Sequence, residues 1–228
     1  VTARLYTCSS VPIALFLTIH EGIVVTHSIT TLEQLESIYG QAHERSLWKE
    51  IDHLNEDYQA FVRASPFVVL ASVGEGGTDC SPKGDPAGFV AILDDRTLAI
   101  PDRPGNNRID NLKNIVADPR VSLLFLIPGV GETLRVNGRA RISVDPQLLA
   151  RFEIRGKQPR TVIVVSVERV YFHCSKAIVR SSLWDPAKHI ERSSLPSPGA
   201  MHRRLSGGTF DAGTYDRELP ERTQASLY

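Results

Sequence analysis

The sequence predicts an α+β protein, mainly β, in which six or so antiparallel strands form a barrel behind N-terminal helices. Three observations predict it. Short runs rich in Val, Ile and Leu, separated by Gly, Pro and Asp, recur from Phe67 to His173. Two of them flank the Gly-rich turn Gly74-Glu75-Gly76-Gly77 and read as a hairpin. The residues ahead of Pro66 place their apolar side chains at helical rather than strand intervals.

Taken in order, a helix starts at Thr30 or Thr31, where Thr31 and Gln34 have capping-box spacing ahead of Leu32, Leu35 and Ile38, and Gly40 ends it. A second helix is read over Ser46 to Ala64 through Leu47, Ile51, Leu54, Tyr58, Phe61 and Val62, stopped by Pro66. Phe67 to Val73 and Asp79 to Lys83 form the hairpin. The other strands are Gly88 to Leu93, Thr97 to Pro101, Val121 to Ile127, Leu134 to Val144 and Thr161 to His173. A helix over Asn107 to Ala117 ends at Asp118-Pro119, and a short one follows Asp145-Pro146.

The ends are less patterned. Residues 1–29 are read as an extension: Val11 to Ile19 is apolar, but only Arg4 precedes it and no clear small-residue cleavage site follows. That run is also much shorter than the roughly 20 residues that cross a bilayer, so no membrane helix is expected. A secretory leader and an irregular extension both remain open. Residues 191–228, rich in Ser, Pro, Gly and Arg, are expected to be disordered, because they carry too few apolar groups to offset ordering entropy. One domain over 30–190 is therefore predicted.

Composition narrows the function classes. A formal net charge of zero offers no long-range attraction to nucleic acid or an anionic membrane, so any anion site has to be local. Cys8, Cys80 and Cys174 are odd in number, far apart and without a CxxC pair, so neither a disulfide framework nor a bound metal is expected and a cytoplasmic location fits. Walker, GxGxxG, HExxH and GxSxG patterns are missing, which leaves nucleotide hydrolysis, Rossmann, zincin and serine-hydrolase chemistry without support.

Three segments carry candidate chemistry. Leu98 to Leu112 runs from a strand through Pro104-Gly105 into a helix, and brings Arg103 and Arg108 beside the free amides of a helix start, an arrangement suited to an anion. Spacing alone favours the plainer reading of two solvated surface charges and a simple turn at Gly105. Asp79-Cys80-Ser81-Pro82-Lys83-Gly84-Asp85-Pro86 puts Pro82 in a strand, which demands an edge or a bulge; a polar turn with a surface lysine is the plain alternative. The third segment, Val170 to Asp185, holds Lys176, Arg180 and Trp184. His173 and Cys174 are adjacent on a strand, so they face opposite ways and read as structural.

These segments, in this order, resemble the pyridoxamine 5′-phosphate oxidase class of FMN-binding split β-barrel proteins. In that family a strand ending Tyr-Thr-Asn leads to Ser-Arg-Lys and then a Gln-Leu pair. Here Pro101 and Asp102 depart from the strand's ending, Asn107 takes the Arg place, Arg108 the Lys place and Asn111 the Gln place, while Arg103 stands where the family has a neutral residue. Ser81 to Pro86 resembles the Ser-Pro-Lys/Arg-Gly-Asp-Pro signature of bacterial members described as FMN-dependent enzymes. The resemblance implies that Cys80, Ser81, Pro82 and Lys83 lie along the flavin ring, that Pro101, Asp102, Arg103, Asn107, Arg108 and Asn111 surround its phosphate, and that Lys176, Arg180 and Trp184 close the site. Glu132 to Arg141 is similar to the family's Arg-Val-x-Gly strand near a dimer interface, across which Arg135 would reach. The implied protein is a homodimeric FMN-dependent oxidoreductase acting on a small organic molecule, with non-enzymatic binding of flavin, F420 or haem as the alternative on the same fold. Asp185-Pro186 replaces the family oxidase's Arg-Leu after Trp184, so the resemblance does not extend to pyridoxamine phosphate as the substrate.

Overall fold

The computed structural model describes residues 27–228. The apolar run from Val11 to Ile19 and the reading of it as an extension lie outside those residues. The chain divides into two units, Val1–His43 and Glu44–Tyr228. In the first, α1 (Leu32–Tyr39) starts with the capping box expected of Thr31 and Gln34 and stops at Gly40, whose φ of 67° suits glycine.

The second unit begins with α2 (Glu44–Trp48) and α3 (Glu56–Ala64), where one helix over Ser46 to Ala64 was predicted. Ile51 interrupts it by exchanging two backbone hydrogen bonds with Val170, at 3.1 and 2.8 Å, and Asn55 then caps α3 through Tyr58 N. Local periodicity does not report such a long-range bridge. Tyr58 and Val62 of α3, with Leu54 before it, enter the core.

The strands are β1 (Phe67–Gly74), β2 (Gly77–Gly84), β3 (Ala91–Asp94), β4 (Thr97–Asp102), β5 (Arg120–Leu126), β6 (Thr133–Ser143) and β7 (Thr161–His173). Helix α4 (Asp110–Ala117) joins β4 to β5, α5 (Pro146–Arg151) joins β6 to β7, and α6 (Lys176–Ser181) follows β7. All seven strands form one antiparallel sheet in the order β2-β1-β5-β6-β7-β4-β3, one strand more than the six expected. Each of the seven runs read as strands from the sequence is a member of it.

Inward side chains of strands far apart in that order share a single core: Val68 and Leu70 of β1, Leu98 and Ile100 of β4, Leu123 and Phe125 of β5, Val136 of β6 and Ile163 of β7. The sheet therefore curls around its apolar face. No hydrogen-bonded ladder joins the end strands β2 and β3 among the described residues, so the curled sheet has a seam. Side chains span it: Lys83 of β2 meets Asp102 of β4 at 2.8 Å. Pro82 lies in the edge strand β2, where its missing N–H is tolerated.

The C-terminal stretch expected to be disordered holds α7 (Pro198–Leu205) and α8 (Ala212–Ala225). Asp216 of α8 accepts from Ser197 Oγ at 2.5 Å and from Gly199 N at 2.8 Å, so it secures the start of α7. A side chain at Gly199 would meet Ala212 O at 2.6 Å, so the close approach of the two helices at that point needs glycine. His202, Phe210 and Tyr215 pack ring to ring at 5.1–5.3 Å. A few aromatic and capping contacts thus replace the apolar stripe whose absence suggested disorder. No helix among the described residues is long and apolar enough to cross a membrane.

Candidate functional site

Strand alternation decides what β2 presents. Lys83 and Ser81 stand opposite Val68 and Leu70, both core residues, so Asp79, Ser81 and Lys83 face the inside of the curl, while Cys80 and Pro82 are exposed on the other face. Across the seam run β4 and the turn into α4. Together they line an open groove of about 450 Å³. Of the residues singled out from sequence, Ser81, Lys83, Asp102, Arg103, Asn107, Arg108 and Asn111 border it, joined by Asp79, Pro104, Gly105, Asn106, Ile109, Asp110, Leu112 and Arg160.

Helix α4 is fixed against β1. Asn111 and Asn114 each donate a side-chain N–H to the buried Ser72 Oγ, at 2.7 and 3.1 Å. The turn ahead of α4 is strained: Asn107 and Ile109 have φ of 61° and 55°. Asn tolerates this left-handed region, but a β-branched residue there costs ~1–2 kcal/mol. Ile109 occupies the N-cap position without a side-chain hydrogen bond to the helix, so the first amides of α4 have no side-chain acceptor of their own. Unpaired amides at the positive end of a helix dipole are suited to an oxyanion.

The charges are arranged in pairs. Lys83 lies against Asp102 as described, and Arg108 Nε donates to Asp110 at 2.7 Å, an exposed pair in which Arg108 holds the Asp110 carboxyl below its usual range. Arg103 is the most enclosed cation. Its Nε donates to Asp85 at 2.7 Å and its Nη1 to Phe152 O at 2.8 Å, which leaves Nη2 without a described acceptor. Arg160 donates to Asn107 Oδ1 at 3.1 Å and makes no ion pair among the described residues. It is the cation that sequence reasoning missed. It sits just before β7, more than 50 positions from the turn, and only the β4–β7 pairing of Asp102 with Thr161 brings it there.

The remaining sequence candidates lie elsewhere. Pro101 is buried within β4 opposite Val162. Arg135 of β6 donates to Tyr171 OH at 2.9 Å, and Trp184 Nε1 donates to Val130 O at 2.8 Å. Lys176 and Arg180 belong to α6. None of these lines the groove within one copy of the chain. Near Arg135, His173 Nε2 is buried without a hydrogen-bond partner, and burial, then the charges of Arg135 and Lys49, push its imidazole below the usual histidine value. Asp85 was also not singled out, although its side chain is only 2% exposed and it holds Arg103.

Among solved structures, HupZ of Group A Streptococcus is 20% identical with a TM-score of 0.42, covering 51% of this chain and 90% of its own. A Clostridium acetobutylicum protein related to general stress protein 26 is 15% identical, TM-score 0.40, covering 52% and 86%. A FAD-binding protein of Mesorhizobium loti is 19% identical, TM-score 0.38, covering 51% and 89%. No curated protein matches the chain. The model of the pyridoxamine 5′-phosphate oxidase family matches residues 54–174, from the residue before α3's cap to just past the end of β7 and including every residue that borders the groove, and on that match the chain belongs to the pyridoxamine 5′-phosphate oxidase family.

Proposed function

We propose that the chain is an FMN-dependent oxidoreductase acting on a small organic molecule, with the phosphate of FMN held at the start of α4. The observation that carries this reading is the strained, uncapped turn of Asn107 and Ile109, flanked by Arg108 and Arg160. The donor set fits a phosphate monoester: backbone amides, two exposed guanidinium groups and the Nη2 of Arg103. FMN bound there supplies two-electron redox chemistry at its ring system. The residues of β2 bind and orient it, with Ser81 as a hydroxyl partner and Lys83 as a nearby positive charge. No side chain in the groove is assigned as a general acid or base.

The groove is also incomplete for a flat ring, since Pro104, Ile109 and Leu112 are the main apolar groups that line it. A second copy would supply the missing wall. In this reading the protein is a C2 homodimer, and the set Arg135, Lys176, Arg180 and Trp184 of one copy faces the groove of the other. Titration of purified protein with FMN and with riboflavin tests the assignment. FMN is expected to bind at least about tenfold more tightly, as charged hydrogen bonds to its phosphate require. Equal affinities would overturn the reading, and a Soret band in the purified protein would point instead to haem.

A further inference from the structure

Arg103 is held from a place far away in the sequence. Both oxygens of the enclosed Asp85 carboxylate are in use: Oδ2 accepts from Arg103 Nε at 2.7 Å, and Oδ1 accepts from the Tyr228 hydroxyl at 2.6 Å. The Tyr228 ring lies between two guanidinium groups, with Arg103 at 5.3 Å and Arg155 at 5.7 Å from its centre. Lys157 Nζ donates to the Tyr228 carbonyl at 2.6 Å. The segment that delivers this ring follows α8, whose chief packing partner is α7. The helical pair is therefore tied to the curled sheet largely through polar and cation–π contacts at its tip. Such contacts are individually weak and reversible.

We propose that Tyr228 is a latch that positions Arg103 and the turn after it for a phosphate-bearing ligand in the groove. The ligand part of this inference rests on the FMN reading above. The logic is geometric. With Tyr228 docked, Asp85 has one free choice of partner for Oδ2, and that partner is Arg103 Nε. Phe152 O takes Nη1, so the guanidinium is fixed in plane and Nη2 alone stays available. Without the Tyr228 hydroxyl, Oδ1 becomes an enclosed carboxylate oxygen lacking a donor. The nearest remedy is for Asp85 to take Nη2 as well, in the two-pronged pairing that arginine and carboxylate favour. That withdraws the donor from the groove. Pro104, which follows Arg103 directly, borders both the groove and the crevice beneath Leu227 and Tyr228, so the turn shares one wall with the latch. The acceptance of its hydrogen by Asp85 raises the Tyr228 phenol above its ordinary value, which keeps the hydroxyl a donor.

Tyr228→Phe tests the latch, because it keeps the ring between the two arginines and removes only the hydroxyl. Two measurements compare it with the wild-type full chain. In ligand-free protein, hydrogen–deuterium exchange of the backbone over Arg103 to Arg108 is expected to accelerate; an unchanged rate overturns the latch. In flavin titrations, FMN affinity is expected to fall about fivefold, one hydrogen bond's worth, while riboflavin affinity holds. An equal fall for both flavins, or none for FMN, overturns the positioning of Arg103, since a packing role would not distinguish the phosphate. Failure of the wild-type protein to bind either flavin would strike the FMN reading, and the ligand-free exchange comparison would still decide the latch.

Discussion

Ile109 has a β-branched side chain in left-handed backbone at the mouth of the groove, with half of its surface exposed. Backbone strain of this kind is retained where the surrounding structure imposes it. Ile109→Gly removes the steric conflict at the cost of a more flexible unfolded chain. Thermal or urea unfolding is expected to show stability unchanged or raised by up to ~1 kcal/mol, whereas an ordinary partly buried Ile would lose stability on the same change. Arg160 makes the complementary test at the same scale. Arg160→Ala is expected to weaken FMN about tenfold and leave riboflavin alone, read by flavin fluorescence titration. His173 carries a pH prediction. Its folded value lies below that of the unfolded chain, so on acidification the unfolded chain takes up the proton first. Stability is full above the ordinary histidine value near 6.5 and falls as the pH drops from there toward the depressed folded value. In His173→Gln the difference in Tm between neutral and mildly acidic buffer should narrow.

At the scale of elements, β6 and β7 show how a motif residue is set by its neighbour strand. Leu134, Val136, Gly138 and Ala140 of β6 point to the core, and Arg135, Asn137, Arg139 and Arg141 point away, as their alternation predicts. The glycine is required by more than alternation. Asn137 pairs with Arg169 and Gly138 with Val167, so Glu168 is bulged out of β7. At that irregularity the Ser166 carbonyl occupies the space a β-carbon on Gly138 would need. Backbone on both sides leaves no flexible group to yield. Gly138→Ala is expected to destabilise by about 2 kcal/mol or more in urea denaturation, within the cost of overpacking a tight core. The β1–β2 hairpin behaves differently, because its two-residue Glu75-Gly76 turn and edge position follow from local signals.

For the whole molecule, the curl of the sheet brings the ends of the strand order together. Lys83 lies in β2 and Asp85 just after it, at one end of the order, while Asp102 closes β4 and Arg103 follows it, near the other end, yet both ion pairs form at 2.7–2.8 Å. The groove lies along this seam and remains open to solvent on one side. That openness motivates the dimer. Light scattering is expected to give twice the mass of the 25.2 kDa chain, and Trp184→Ala, made in the set proposed to face a second copy, should lower flavin retention without unfolding the protein. A monomer with full flavin occupancy would contradict it.

The sequence by itself determined the elements whose causes are local. The capping box of α1, the Gly-rich hairpin turn, the stops at Pro66 and Pro119, and the alternation of β6 all depend on residues a few positions apart, and all stand in the structure. The turn that borders the groove was legible for the same reason, since Asp102 to Asn111 is one continuous segment. What only the tertiary structure decided depends on partners distant in the chain. Ile51 breaks a helix because Val170 bonds to it, Arg160 reaches the turn because β7 pairs with β4, and Arg103 donates to Asp85 and Phe152 and lies over the Tyr228 ring. The C-terminal helices belong to the same group: Ser197 and Asp216 hold them together across 19 positions, a contact that composition averages away. Propensity and periodicity sum over neighbours in sequence, whereas these contacts are set by which strands pair and how the sheet curls.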